Sequence, residues 1–208
     1  MSNGLIKGRT NIVGVTGGVG AGKSAILQYL QDNYNCMVIY SDDVANLIKK
    51  KGYPAFEPLV ELLGADVLGP DGEIDKKKMA DAIFNDEKIL KNVNNILHPA
   101  VNAYIINIID KERYKGKYDF IFVEAALLIE NGYRDIVDEL WYVYADENVR
   151  RDRLKNRRGY SDEKVTAIIE QQLDDATFRK HADFVIDNNG SEGDFALQID
   201  NKITEWRE

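Results

Sequence analysis

The sequence contains a single cysteine, Cys36, so no disulfide can form within the 208-residue chain. Cys36 opens a short apolar run, a pattern typical of a buried strand in a protein of the reducing cytosol. No apolar run reaches the roughly 18 residues needed to span a bilayer, and residues 1–10 lack the apolar core of a signal peptide. These absences predict a cytoplasmic protein that does not bind a membrane.

Positive charge is also scarce, because 27 Lys and Arg residues stand against 35 Asp and Glu residues, for a net charge of −8. Such a surface repels nucleic acid in general, so no nucleic-acid partner is expected and any anion site must be built locally. Residues 150–158, the basic segment, depart from this background. They hold one acid, Asp152, and six basic residues, namely Arg150, Arg151, Arg153, Lys155, Arg157 and Arg158. The basic segment predicts an anionic ligand.

Five short segments rich in apolar residues alternate with helical patterns along the chain. Several are apolar throughout, as in strands that are covered by helices on both faces. The predicted strands are residues 11–16, 37–40, 118–124, 139–144 and 183–187. This alternation predicts an α/β fold with a five-stranded parallel sheet flanked by helices.

A long interval separates the second and third predicted strands. Two amphipathic stripes predict that it is helical, one made of Ile89, Leu90, Val93, Ile96 and Leu97 and the other of Val101, Tyr104, Ile105, Ile108 and Ile109. We therefore expect a single unit whose core comprises about 10–50, 116–146 and 182–208. A helical insert is expected at about 51–115, and a second insert with the basic segment at about 147–181.

The strongest motif is a Gly-rich segment that matches G-x-x-x-x-G-K-[ST]. This phosphate loop consists of Gly17, Gly18, Val19, Gly20, Ala21, Gly22, Lys23 and Ser24. Its glycines allow backbone N–H groups to turn toward a phosphate, and the helix after it adds the positive end of its dipole. Lys23 would reach the β- and γ-phosphates of ATP, and the Ser24 hydroxyl would bind Mg²⁺. A chance Gly-rich turn would not require the apolar strand before it or the helical pattern after it.

The phosphate loop alone does not identify the reaction. A GTPase would also carry D-x-x-G after a strand and N-K-x-D for guanine. Residues 66–69 and 187–190 match D-x-x-G, but the first lie in the predicted helical insert and the second follow the last predicted strand. Residues 201–204 fail to match N-K-x-D at its last position. The chain is also short for a transporter ATPase or a ring motor. A small-molecule kinase remains, with the first insert binding the acceptor and the second serving as a lid.

Two carboxylates, Asp42 and Asp43, follow the second predicted strand directly. A kinase that phosphorylates a hydroxyl needs a carboxylate near the acceptor oxygen, and α/β folds bind ligands at the carboxyl ends of their strands. Asp42 is therefore a candidate catalytic base. Alternatively, Ser41 or Asp42 caps a helix that begins near Val44. Glu124, at the end of the third predicted strand, would orient the water shell of the metal or bond a backbone group.

A helical basic segment would place Arg150, Arg153 and Arg157 on one face, with Arg151 and Lys155 on another. Guanidinium groups bind phosphate bidentately and stay charged, which suits a lid that closes over a transferring phosphoryl group. The alternative is a solvated helix whose charges pair with surface acids.

An ordered set of motifs over about residues 12–190 resembles the dephospho-CoA kinase family. Thr16 and the phosphate loop are similar to its T-G-G-[IV]-G-[SA]-G-K-S. The other similar elements are Val38-Ile39 with Asp42, Asp71-Gly72 with Ile74-Asp75, a helix-start His98-Pro99, Leu127-Leu128-Ile129-Glu130, Arg153-Leu154 with Arg157, Gln172, Ala182-Asp183-Phe184-Val185-Ile186 and residues 188–190.

The resemblance implies a P-loop nucleotide-kinase fold and transfer of the ATP γ-phosphoryl group to the ribose 3′-hydroxyl of dephospho-CoA, with Mg²⁺ bridging the phosphates. That reaction is the final step of CoA biosynthesis. For ATP, the resemblance implies that the phosphate loop and Lys23 bind the phosphates and that Asn188 and Gly190 lie near adenine. For the acceptor, it implies that Asp42 is the base and contacts the substrate and that His98 of the acceptor-binding insert binds it. Arg153 and Arg157 would close over the site from the lid. The implied partners are ATP and dephospho-CoA alone, and the chain is expected to be a monomer or a small homo-oligomer.

Three positions depart from the family pattern. Tyr40-Ser41-Asp42 stands where D-A-D is common, Ala126 where proline is common, and Ile168 where arginine is common. Asp42 keeps its place in the motif. Two alternatives stay open, a nucleoside or nucleotide kinase of the same fold and a non-catalytic ATP-binding regulatory module in which Asp42 only caps a helix.

Overall fold

The computed structural model describes residues 9–84, 86–125, 128–129 and 132–207 of the chain. Within them, five strands form one parallel sheet. The strands are β1 (Asn11–Thr16), β2 (Cys36–Tyr40), β3 (Phe120–Glu124), β4 (Glu139–Tyr144) and β5 (Phe184–Asp187). Their order across the sheet is β2-β3-β1-β4-β5. The predicted α/β fold is confirmed, and the predicted bounds of β1 and β4 agree with the structure to the residue.

Helices of the described ranges flank this sheet or connect its strands. They are α1 (Lys23–Asn33), α2 (Ser41–Ile48), α3 (Phe56–Leu63), α4 (Lys76–Phe84), α5 (Glu87–Lys115), α6 (Glu147–Arg158), α7 (Asp162–Glu170), α8 (Asp175–His181) and α9 (Glu192–Arg207). None of these helices combines the length and the apolar character that a membrane span requires.

The central position of β1 explains why its sequence is apolar without alternation. β1 pairs with β3 on one side, where Val13 lies opposite Phe122, and with β4 on the other, where Val13 lies opposite Glu139. Every residue of β1 is buried, as are Phe120 to Val123 of β3. Both faces of this part of the sheet are therefore covered, and the phosphate loop follows directly from the buried strand β1.

The two predicted amphipathic stripes belong to one helix, α5, which contains Pro99 in its interior. The expectation that His98-Pro99 marks a helix start is therefore wrong. Proline removes one backbone N–H donor and usually breaks a helix. Here burial of Val93 before the proline, and of Val101, Ile105 and Ile109 after it, stabilises both halves of α5 against the rest of the protein.

The chain forms two compact units, each described here by itself. The first comprises the described residues up to Val38 and those from Glu112 onward, and it contains the phosphate loop and the basic segment. The second comprises Ile39–Lys111, with α2, α3, α4 and most of α5. The predicted lid at 147–181 falls within the first unit, and most of the predicted insert at 51–115 falls within the second.

Candidate active site

The phosphate loop connects the buried strand β1 to helix α1 in the first unit. Gly22 is the N-cap of α1 and has a left-handed backbone, with φ of 98°. No side chain caps this helix end, and its first turn contains no acidic residue. The backbone N–H groups at the start of α1 and the positive end of its dipole are therefore suited to a phosphate.

Lys23 lies between two acceptors at the base of the loop. Its Nζ donates a hydrogen bond of 2.8 Å to the Gly17 carbonyl and lies 3.6 Å from a carboxylate oxygen of Glu124, at the end of β3. Burial lowers the pKa of Lys23, the Glu124 carboxylate raises it in part, and the positive charges of Arg150 and Arg158 lower it further. Glu124 thus acts as the counter-ion of the lysine.

Both backbone groups of Val19, its carbonyl and its N–H, form hydrogen bonds with side chains from outside the phosphate loop. The Arg150 guanidinium donates from Nε to the Val19 carbonyl over 3.0 Å, and the Val19 N–H donates to the Gln172 side-chain oxygen over 3.2 Å. The same Gln172 oxygen also accepts a hydrogen bond from Nη2 of Arg150. Arg150 and Gln172 therefore hold Val19 from α6 and from the turn after α7.

The other end of the loop is held by Arg153 and Asn188. Arg153 donates from Nη1 to the Ala21 carbonyl over 3.2 Å and from Nη2 to the Asn188 carbonyl over 2.8 Å. The Asn188 side chain, which is only 5% exposed, donates to the same Ala21 carbonyl over 2.7 Å. The segment after β5 is thereby fixed beside the phosphate loop.

Two glycines of the loop leave room for these neighbouring side chains. A Cβ atom on Gly22 would lie 2.1 Å from Nδ2 of Asn188, and one on Gly18 would lie 2.4 Å from Cζ of Arg150. Both distances are far below van der Waals contact. A side chain at Gly18 would displace the Arg150 guanidinium, and one at Gly22 would displace the Asn188 amide.

The side chains of the basic segment lie on different faces of α6, as their helical spacing predicts. Arg150 and Arg153 face the phosphate loop, whereas Arg151 pairs with Glu147 at 2.7 Å and Lys155 pairs with Asp162. Arg151 and Lys155 therefore pair with surface acids, as the solvated-helix alternative expects, whereas Arg150 and Arg153 do not.

Arg157 and Arg158 lie at the end of α6. Within the described ranges, Arg157 is exposed and forms no hydrogen bond or ion pair, and its charge acts on Arg153, whose pKa it lowers after the larger effect of burial. The charge of Arg158 acts on Lys23 instead.

Asp42 lies in the second unit, in the first turn of α2. This helix begins at Ser41, directly after β2, and its N-cap residue Tyr40 makes no side-chain capping hydrogen bond. The alternative that Ser41 or Asp42 caps a helix starting near Val44 is therefore wrong. The helix begins earlier because the strand passes into it without a connecting loop. The Asp42 side chain is exposed, and its charge acts on Lys49 at the other end of α2.

The two remaining predicted site residues, His98 and Gly190, lie in different units. His98 lines a cavity of about 710 Å³ along α5 in the second unit. Gly190 lies in the first unit after β5, where a Cβ atom would approach Oδ2 of Asp194 to 2.3 Å. Ala126 and the Leu127 and Glu130 positions of the L-L-x-E element lie outside the described residues.

Arg150 and Gln172 are the loop contacts that the sequence did not assign. Spacing placed Arg150 on the same helical face as Arg153, which was the available signal. The sequence marks Gln172 only as a residue of the family motif, because nothing in a sequence shows that its amide would meet Val19, 153 positions earlier.

Comparison with known proteins adds an independent finding. A family model described as dephospho-CoA kinase matches residues 11–194. A dephospho-CoA kinase of Carboxydothermus hydrogenoformans is 34% identical over 196 residues, which is 94% of each chain. A crystal structure of a Thermus thermophilus protein superposes with a TM-score of 0.76 at 28% identity, covering 95% of this chain and 98% of that one. The dephospho-CoA kinase of Campylobacter jejuni superposes with a TM-score of 0.70 at 24% identity, covering 96% and 100%, and supports the fold.

Proposed function

The chain belongs to the dephospho-CoA kinase family, and on that basis we propose how its own residues carry out the reaction. It is a transferase that uses ATP to phosphorylate dephospho-CoA in CoA biosynthesis. The main support for this function is that one family model matches residues 11–194. The matched range includes the phosphate loop, Asp42 and the basic segment. The match disfavours the nucleoside or nucleotide kinase and the regulatory module.

On the ATP side, the phosphate loop and Lys23 would bind the β- and γ-phosphates. Arg150 and Arg153 would keep the loop in its binding conformation through Val19 and Ala21. Asn188 and Gly190 would lie near adenine, a proposal supported by the direct hydrogen bond between Asn188 and the loop. Arg153 and Arg157 would also stabilise charge on the transferring group.

Magnesium would enter with ATP as part of the substrate. The described residues contain no group of three or more His, Cys, Asp or Glu that could hold a metal ion. Mg²⁺ is usually held by one or two protein oxygens together with substrate phosphates and waters. The Ser24 hydroxyl would be such an oxygen, and the Glu124 carboxylate would orient the water shell of the ion. When bound, Mg²⁺ would neutralise charge on the β- and γ-phosphates.

On the acceptor side, Asp42 would serve as the base for the ribose 3′-hydroxyl. The acceptor oxygen would form a bond to the γ-phosphorus as the bond between that phosphorus and ADP breaks, and the hydroxyl proton would pass to the Asp42 carboxylate. The position of Asp42 directly after a parallel strand supports this role, because α/β folds bind ligands there. His98 would contribute to acceptor binding from α5.

The partners that we propose are these two small molecules, without nucleic acid or membrane, which agrees with the net charge of −8. Coenzyme A synthesis from these soluble substrates would take place in the cytoplasm, where the single cysteine would stay reduced. The protein would act as a monomer or a small homo-oligomer.

The first experiment measures ADP release by the purified protein with Mg²⁺, with and without dephospho-CoA, for the wild type, Asp42→Asn and Asp43→Asn. Asp43 is the matched control, since it is an exposed carboxylate in the same helical turn. We expect acceptor-dependent ADP release that falls by about two to four orders of magnitude in Asp42→Asn only. Equal activity of Asp42→Asn and the wild type would remove Asp42 as the base. Absence of acceptor-dependent ADP release in wild-type protein that binds ATP would overturn the proposed reaction.

A further inference from the structure

A second cavity in the Ile39–Lys111 unit is rich in lysine. It has a volume of about 310 Å³ and is separate from the cavity that contains His98. We call it the lysine pocket, and its lining residues are Asn46, Lys49, Lys50, Glu73, Ile74, Lys76 and Met79. Its size is near the lower end of the range for small-molecule pockets, about 300–1,000 Å³, so it suits one part of a large substrate.

The charge of the lysine pocket is unusual for an acidic protein. Three lysines and one acidic residue, Glu73, line the pocket. The Glu73 carboxylate already accepts a hydrogen bond from the Lys51 backbone N–H at 2.9 Å. Within the described part of the chain, Lys49, Lys50 and Lys76 form no ion pair within 4.0 Å. The pocket therefore carries a net positive charge that a bound anion could neutralise.

Lys49 connects this pocket electrostatically to the proposed base. Burial lowers the pKa of Lys49, the ammonium of Lys76 lowers it further, and the carboxylate of Asp42 raises it in part. Lys49 and Lys76 are thus close enough to repel each other, and Asp42 is within electrostatic range of the same group. An anion between the two lysines would relieve their repulsion.

We propose that the lysine pocket binds the diphosphate of dephospho-CoA. The assignment rests on the proposed function, in which Asp42 faces the ribose 3′-hydroxyl. In this acceptor the diphosphate is attached to the 5′ position of that same ribose, so only a few covalent bonds separate it from the reacting oxygen. Asp42 lies in the first turn of α2, Lys49 follows the last turn of α2, and Lys76 begins α4. A site of this kind, with a carboxylate and two lysines in one unit, suits a substrate that has a hydroxyl and a dianion on one sugar.

The test measures dissociation constants of dephospho-CoA and of ATP by calorimetry for Lys49→Gln, Lys76→Gln and the double variant. Lys88→Gln is the matched control, because Lys88 is an exposed lysine in the same unit that does not line the pocket. Charge-assisted hydrogen bonds predict that each pocket substitution weakens dephospho-CoA binding about tenfold, with ATP binding and the melting temperature unchanged. Glu73→Gln, which keeps an acceptor for the Lys51 N–H, should tighten dephospho-CoA binding.

The double variant should also lose most of the salt dependence of dephospho-CoA binding. A dissociation constant within twofold of wild type in the double variant, in a protein that still phosphorylates dephospho-CoA, would overturn the pocket assignment alone. Parallel loss of ATP and dephospho-CoA binding would also overturn it, because it would indicate a general effect on the protein. Wild-type protein that binds dephospho-CoA without transferring phosphate to it would instead contradict the proposed function.

Discussion

The side chain of Asn188 donates a 2.7 Å hydrogen bond to the carbonyl of Ala21, 167 positions earlier in the chain. Because Arg153 donates to this same carbonyl, Ala21 joins the phosphate loop to the basic segment and to the segment after β5. The loop conformation therefore depends on groups that lie outside the Gly-rich motif.

Replacing Asn188 by alanine should weaken ATP binding. The change removes a buried hydrogen bond and leaves the Ala21 carbonyl with Arg153, so we expect a loss of about 1 kcal/mol in the free energy of unfolding and a rise of about tenfold in the KM for ATP. Chemical denaturation and steady-state kinetics measure the two effects. Asn201→Ala, at an exposed position of α9, is the control. An unchanged KM for ATP would show that this hydrogen bond has no part in nucleotide binding.

Arg150 and Gln172 should act on ATP binding as one unit. Each contacts Val19, and they contact each other, so Arg150→Ala and Gln172→Ala should each lower kcat/KM for ATP about three- to tenfold. The double variant should lose clearly less than the product of the two effects, because either change already disrupts the group. A double-mutant cycle on kcat/KM, with melting temperatures measured in parallel, tests this. Independent, multiplicative losses would contradict the shared role.

The alkaline limit of activity should depend on Glu124. The pKa of Lys23 is lowered by burial and partly restored by Glu124, so loss of the Glu124 charge should lower the pKa of Lys23 further. Since the proposed phosphate contact requires a protonated lysine, kcat/KM for ATP should begin to fall at a lower pH in Glu124→Gln than in the wild type. The pH profile of kcat/KM, which reports the free enzyme, measures this shift. If the alkaline side of the profile is the same in Glu124→Gln and in the wild type, a group other than Lys23 causes the loss of activity at high pH.

Tyr29 should make stability depend on alkaline pH. Its hydroxyl donates to the Asp200 carboxylate at 2.6 Å, and burial followed by this hydrogen bond raises the pKa of Tyr29 from 10.0 to about 12. Because the folded-state pKa is the higher one, the contribution of Tyr29 is complete below pH 10 and decreases as the pH approaches 12.

Tyr29→Phe should therefore lower the free energy of unfolding by about 1–2 kcal/mol at pH 8, with a smaller difference from wild type at pH 11. Urea denaturation at both pH values measures this. Tyr114→Phe, which changes an exposed tyrosine, is the control. A difference that stays constant from pH 8 to pH 11 would contradict the raised pKa.

Much of the fold followed from local patterns in the sequence. The uninterrupted apolar runs predicted the parallel strands, because a strand covered on both faces has no solvent-facing side. The phosphate loop and its flanking elements were predicted in full, because neighbouring residues in the chain specify that turn. The single helix α5 was not predicted, since Pro99 disfavours a helix locally and only burial on both sides of it stabilises one.

The sequence by itself determined the α/β class, the phosphate loop, the helical face shared by Arg150 and Arg153, and the family to which the chain belongs. These properties depend on residue types and on short spacings. Only the tertiary structure decided which side chains hold the loop, that Glu124 pairs with Lys23, and that three lysines line one cavity. The physical reason is that the hydrogen bonds that hold the loop join residues far apart in the chain, and the packing of the whole sheet sets their geometry. The Val19 N–H donates to Gln172, 153 positions later, and the Asn188 side chain donates to Ala21, 167 positions earlier.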